Sequence, residues 1–134
     1  MTLLLRILIA TISALVLYGL LPVIWAQATG AAQCPALGPL PACYVVGICY
    51  TLIAISAIRA LPFAAHVFWI GWLPVFGLAL TGSLSEISGT PICPRNAIDI
   101  PLCFFSLGIA AILLLCFQVL RRLDIQKALE HTKL

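Results

Sequence analysis

The sequence predicts an all-α fold: a polytopic membrane bundle of four transmembrane helices, built from two parallel-repeat helical hairpins, with both termini cytoplasmic. Three observations carry this. The 134-residue chain is 63% hydrophobic and only 8% charged, with a mean hydropathy of +1.19, whereas about a quarter of a soluble domain is charged. From Ile7 to Ile58 there is no Asp, Glu, Lys or Arg, and because about 20 apolar residues cross the hydrocarbon, this stretch holds two crossings. The pattern of the first half then recurs 52 positions later.

The elements follow in order within one membrane domain, residues 1–134. The first helix spans about 7–30 and ends where Gly30, Pro35, Gly38, Pro39 and Pro41 crowd together. Such residues cannot continue a helix in lipid, where each unmade backbone hydrogen bond costs several kcal/mol, so 31–42 forms an outward loop. The second helix covers about 43–61 and the third about 63–84. A second outward loop covers 85–100, the fourth helix 101–120, and a polar helical tail 121–134. Arg6, Arg59, Arg121, Arg122, Lys127 and Lys133 fall on one side against Arg95 on the other, which places that basic side in the cytoplasm. The net charge of +3 is accounted for by this bias and gives no reason to invoke nucleic acid.

The start of the chain also reads as a secretory signal, with a short charged beginning, an apolar core and Ala26-Gln27-Ala28 before a cleavage point. The repeat argues for retention. Gly19 to Gly30 aligns with Gly71 to Gly82 at six of twelve positions, among them Pro22 with Pro74 and Thr29 with Thr81. Cys34-Pro35 and Pro41-Ala42-Cys43-Tyr44 then correspond to Cys93-Pro94 and Pro101-Leu102-Cys103-Phe104, with an extra seven residues assigned to the second loop around Ser83 to Gly89. Helix one is thus the counterpart of helix three. Parallel halves of this kind differ from the inverted repeats that mark alternating access around a midplane site.

Six cysteines divide into two groups. Cys49 and Cys116 fall inside helices, as small apolar packing residues. Cys34, Cys43, Cys93 and Cys103 lie outward, where a periplasm-like compartment lets disulfides persist. Pairing Cys34 with Cys43 and Cys93 with Cys103 closes loops of 10 and 11 residues, each contributing roughly 2.7 kcal/mol in the chain-entropy model. Pairing across the halves would close about 60 residues and contribute roughly 4 kcal/mol. Both remain open on sequence; local pairing is favoured because each repeat then carries a complete unit. Pro41 and Pro101 suit a first helical position, which puts Cys43 and Cys103 in a first turn, where the positive helix terminus stabilises thiolate. They are the candidate nucleophiles, with Cys34 and Cys93 as exposed partners in exchange. Arg95 would favour a thiolate at Cys93 or pair with lipid phosphate. Tyr44, Phe104, Phe105 and Trp25 lie at the same outer level and would line a pocket for a quinone.

This layout resembles the four-helix membrane disulfide generators, the disulfide-bond-formation protein B and vitamin K epoxide reductase families. The resemblance covers topology and cysteine placement over about residues 8 to 120. It implies thiol–disulfide exchange between partner thiols and a quinone, although those families carry a Cys-x-x-Cys pair and the pairs here are nine and ten residues apart.

Other residues weigh on the side of structure. Glu86 and Asp99 are the outward carboxylates, solvated acids or proton acceptors for thiol chemistry. His66 and His131 have no third ligand spaced with them, so no metal is expected. Pro22 and Pro74 should bend helices one and three alike. Ser56, Ala60, Ala64, Ala110 and Ala111 offer small faces for close helix contact, and the tail presents Leu120, Leu123 and Ala128 on one side. Absence of ions within the crossings argues against an ion path. The function expected is therefore that of an accessory subunit or assembly factor of a larger membrane complex in a bacterial inner membrane, its outward loops disulfide-stapled. Its partners would be the bilayer, other membrane subunits or a periplasmic thiol protein. The alternative is the quinone-linked oxidoreductase.

Overall fold

The computed structural model describes residues 1–31, 34–37, 39–58, 63–89, 93 and 101–132. They form four helices: α1 (Thr2–Ala28), α2 (Ala42–Ile58), α3 (Ala64–Ile87) and α4 (Leu102–Thr132). Three of these, Thr2–Ala28, Ala64–Ile87 and Leu102–Leu129, are long and apolar enough to cross a membrane, and α2 is a shorter apolar helix. The turn at 59–62, with Arg59, lies outside the described residues, as do Arg95 and Asp99.

Three features differ from the sequence expectation. Helix α1 starts five residues earlier, at Thr2, because Leu3, Leu4 and Leu5 are good helix formers and nothing before Arg6 stops the helix. The first cysteine loop is not wholly irregular. Its two-residue strands β1 (Ala36–Leu37) and β2 (Leu40–Pro41) pair antiparallel in a miniature hairpin. The tail continues α4 through Thr132, as its sequence predicts. The third difference concerns the extra seven residues around Ser83 to Gly89: the helix was expected to end at about 84, yet it continues through Ile87, and Glu86 sits in its last turn.

That last difference has a simple geometric reason. Seven residues are nearly two turns of 3.6, so inserting them within a helix lengthens it by about 10 Å and leaves the same face toward its neighbours. The ends of α1 and α3 therefore correspond at an offset of 59, not 52. Thr29 N–H donates to Trp25 O at 3.0 Å and Gly30 N–H to Gln27 O at 3.2 Å; Ser88 N–H donates to Leu84 O and Gly89 N–H to Glu86 O at the same two distances. Gly30 and Gly89 both have positive φ, 73° and 86°, the left-handed turn that glycine supplies without a Cβ penalty at a helix end. In this register Pro22 and Pro74 no longer match, since Pro22 is six residues from the end of its helix and Pro74 thirteen.

The core lies where the four helices meet. It contains Ile9 from α1; Cys49, Tyr50, Ile53 and Ala57 from α2; Phe68, Trp72 and Val75 from α3; and Ala110, Leu113, Phe117 and Leu120 from α4. The spacing of three and four within each helix puts one stripe inward. Phe68 stacks on Phe117 with centroids 3.8 Å apart, Trp72 stacks on Phe76 at 4.7 Å, and Trp69 meets Trp72 edge-on at 5.4 Å. Trp72 Nε1 donates to the Ala110 carbonyl at 2.8 Å, tying α3 to α4. Gly71 lets α3 approach α2: a Cβ there would lie 2.7 Å from the Cys49 carbonyl oxygen.

Both termini are at one end of the bundle. Arg6 and Asp124 form an ion pair at 2.9 Å, and Lys127 Nζ donates to Thr2 Oγ1 at 3.1 Å. The helical tail thus packs along the start of α1: Leu120 is buried and Leu123 half-buried, while Ala128 is exposed.

Candidate functional site: the cysteine end

At the opposite end the structure brings Cys34 to Cys43 and Cys93 to Cys103 at disulfide-bonding distance, with Cα separations of 6.4 and 6.1 Å. Local pairing follows from the path of the chain. After Gly30 the backbone reverses, and the hairpin of β1 and β2 returns it to the start of α2 beside Cys34; Ala42 N–H donates to Pro35 O at 3.0 Å. Cys43 and Cys103 each occupy the second residue of their helix.

Each outer cysteine is held by a side chain seven residues before it. Gln27 Oε1 accepts from Cys34 N–H at 2.6 Å, and Glu86 Oε1 accepts from Cys93 N–H at 3.2 Å. Both anchors project from the last turn of the preceding helix, so each helix end holds its own cysteine loop. The two halves use the same device with one difference in charge, a neutral amide in the first and a carboxylate in the second. Neither anchor was identified from sequence. The signal was present as the shared spacing of seven, but the offset of 52 aligned Gln27 with Ala79 and hid it.

Burial divides the four cysteines unevenly. Cys43 is 6% exposed and Cys93 9% exposed, whereas Cys34 and Cys103 are half-buried. Cys93, expected as an exposed partner, is buried. Its second-half disulfide lies directly on α3 at Gly82, where a Cβ would come within 2.6 Å of Cys103 Sγ and 2.9 Å of Cys93 Sγ. Gly82 is a second residue that sequence reasoning missed; it was read as the partner of Gly30 in the repeat rather than as the seat of a disulfide.

Of the four aromatic residues assigned to a quinone pocket, only Tyr44 lines a described groove. Trp25 is 73% exposed, and Phe104 and Phe105 are also exposed on the surface of α4. Tyr44 lines an open apolar groove of about 360 Å³ between α1 and α2, with Leu17, Ile24, Gly47, Ile48, Thr51 and Leu52. Thr51 spends its hydroxyl on the Gly47 carbonyl at 2.8 Å, so the groove offers shape and apolar surface more than hydrogen bonds. Cys49 is buried in the core and Cys116 is half-buried beside it. His66 is exposed on the first turn of α3. Among the described residues no three His, Cys, Asp or Glu side chains cluster as metal ligands would.

No protein-family model, curated protein or solved structure matches this chain.

Proposed function

We propose that this chain is a small integral membrane protein of a bacterial inner membrane, with its cysteine end in the periplasm and both termini in the cytoplasm, and that it serves as an accessory subunit or assembly factor of a larger membrane complex. The observation that carries the membrane reading is the apolar outer surface. Leu4, Leu15, Tyr18, Ile48, Ile70, Leu73, Ile112 and Leu115 are all exposed, on all four helices; a soluble monomer rarely shows contiguous apolar patches beyond a few hundred Å².

Dimensions agree with this reading. From Arg6 to Trp25 along α1 is about 28 Å, and from Phe105 to Arg122 along α4 about 26 Å, at 1.5 Å per residue. These are close to the ~30 Å hydrocarbon thickness, with aromatic residues at one boundary and arginines at the other, as interfaces favour. Helix α2, of 17 residues, is a few ångströms shorter, a mismatch that local thinning of the bilayer accommodates.

Support for the subunit role is the character of the cysteine end. Two of its cysteines are buried, each outer cysteine's backbone N–H is held by a side chain of the preceding helix, and the half-buried Glu86 carboxylate accepts from the Cys93 backbone. Two cysteine pairs anchored in the same way at one end of the bundle suit contact with another subunit. Extraction of chromosomally expressed, tagged protein in mild detergent, followed by native electrophoresis and cross-linking, should place it in a complex well above the size of the bundle. Migration as an isolated 14.4 kDa chain in its micelle would overturn the role.

A second reading, the thiol–disulfide oxidoreductase linked to a quinone, is favoured by one observation: Tyr44, next to Cys43, lines the apolar groove. It predicts that reduced protein in detergent reduces a soluble quinone analogue stoichiometrically; no reaction rejects it.

A further inference from the structure

At the end of the bundle opposite the cysteines, a cleft of about 420 Å³ opens between the start of α1 and the tail of α4, lined by Met1, Thr2, Leu123, Gln126, Lys127 and Leu129. Lys127 Nζ donates to Thr2 Oγ1 at 3.1 Å. An ammonium has three N–H donors, and a hydroxyl that accepts still has its own hydrogen to give. The partner is a hydroxyl and not a carboxylate, so this contact leaves the ammonium charge uncompensated. Asp124, one turn before, is held by Arg6 at 2.9 Å. Gln126 adds two amide donors, and Arg122, four residues earlier, stands on the same face of α4 as Gln126. None of the described residues that line the cleft is a carboxylate.

Depth narrows the ligand class. In the membrane reading Arg6 and Arg122 mark the edge of the hydrocarbon, and at 1.5 Å per residue Thr2 lies about 6 Å and Lys127 about 7.5 Å beyond them. A bilayer with ~30 Å of hydrocarbon is ~40–45 Å thick with its headgroups, so each headgroup layer measures about 5–8 Å. The cleft is therefore at the level of the lipid phosphates. We propose that it is a binding site for the phosphate of an anionic phospholipid, held by Lys127, Thr2 and Gln126, with the lipid's glycerol and upper acyl carbons against Leu123.

The chemistry of the lining selects the headgroup. Lys127 supplies charge, and with Thr2 and Gln126 it supplies N–H and O–H donors for phosphate oxygens; such charge-assisted hydrogen bonds are roughly twice as strong as neutral ones. A zwitterionic lipid would bring an ammonium for which the described lining has no carboxylate, so a headgroup with net negative charge is favoured. Leu123 is half-buried and is the α4 lining residue nearest the hydrocarbon, where it can meet the apolar part of the same lipid. The proposal rests on the membrane reading and is independent of the subunit role, which is read from assembly with other chains.

The test uses the full chain reconstituted into vesicles of equal parts phosphatidylglycerol and phosphatidylcholine, washed in alkali, extracted in mild detergent and weighed by native mass spectrometry. Protein lost in the alkaline wash overturns the membrane reading and this proposal with it. Protein that stays should retain phosphatidylglycerol in preference to phosphatidylcholine; equal retention of the two lipids overturns the proposal alone. Lys127→Gln should lower the retained phosphatidylglycerol about fivefold, the factor for one basic residue at an anionic surface. Arg121→Gln makes the same charge change at a residue that does not line the cleft and should lower it less than about twofold, since a charge out of contact is screened by salt. Equal losses in the two variants would show a diffuse field and overturn the site. Excess inorganic phosphate should leave the lipid bound; displacement would make the ligand a free phosphate and overturn the lipid assignment.

Discussion

Substitution of Gly71 by alanine tests the packing of the bundle most directly. The added methyl would meet the Cys49 carbonyl oxygen at 2.7 Å, Ile53 Cγ1 at 3.1 Å and Leu52 Cβ at 3.2 Å. The nearest of these is backbone within a helix and cannot rotate away. The first contact is about 0.7 Å short of ordinary van der Waals distance, so α2 and α3 must separate by a similar amount. A gap of that size forfeits a quarter to a half of each dispersion contact along the seam, and overpacking of this kind costs about 1–3 kcal/mol. Alanine's better helix propensity returns up to about 1 kcal/mol. The net expectation is a loss of about 1–2 kcal/mol.

Gly77→Ala and Gly108→Ala are the controls, because a Cβ at either position meets nothing within 4 Å and the propensity gain should then appear alone. Reversible unfolding of the three variants in mixed micelles, followed by far-ultraviolet circular dichroism, reads the difference. If Gly71→Ala unfolds with either control or with the parent protein, the close approach of α2 and α3 is not what the glycine serves.

Three further outcomes follow from particular contacts. Gly82→Ala places a methyl against both sulfurs of the second disulfide and should prevent that bond from closing, so that trapping finds two additional free thiols while Cys34–Cys43 stays oxidised. Trp72→Phe removes the 2.8 Å bond to the Ala110 carbonyl but keeps a ring to stack on Phe76; the cost should be about 0.5–1.5 kcal/mol in the same unfolding assay. A double-mutant cycle of Arg6→Ala with Asp124→Ala should give a coupling of no more than about 1 kcal/mol, falling as salt is raised, because both side chains are partly exposed; a larger, salt-independent coupling would mean that the pair is shielded from water.

The number and type of the helices were legible in the sequence because they depend on local physics: long apolar runs free of charge, broken by glycine and proline. The pairing of each cysteine with its neighbour in sequence was favoured but left open, since loop entropy alone does not choose the native pairs. Only the folded path of the chain decided it, by turning back at Gly30 and returning through the short hairpin of β1 and β2. The register of the repeat shows the limit most clearly. Pro22 and Pro74 matched at an offset of 52, while Gln27 with Glu86, Gly30 with Gly89 and Cys34 with Cys93 correspond at 59, and one linear alignment cannot hold both.

The sequence by itself determined an all-helical chain with apolar elements and two nearby pairs of sulfurs, because composition and spacing act within a few residues. The tertiary structure decided which cysteines are buried, which side chains hold the outer ones, and why Gly71 and Gly82 have no side chain. Those are properties of approach between segments distant along the chain, and no local pattern encodes the distance from Gly71 to the Cys49 carbonyl or from Gly82 to a disulfide.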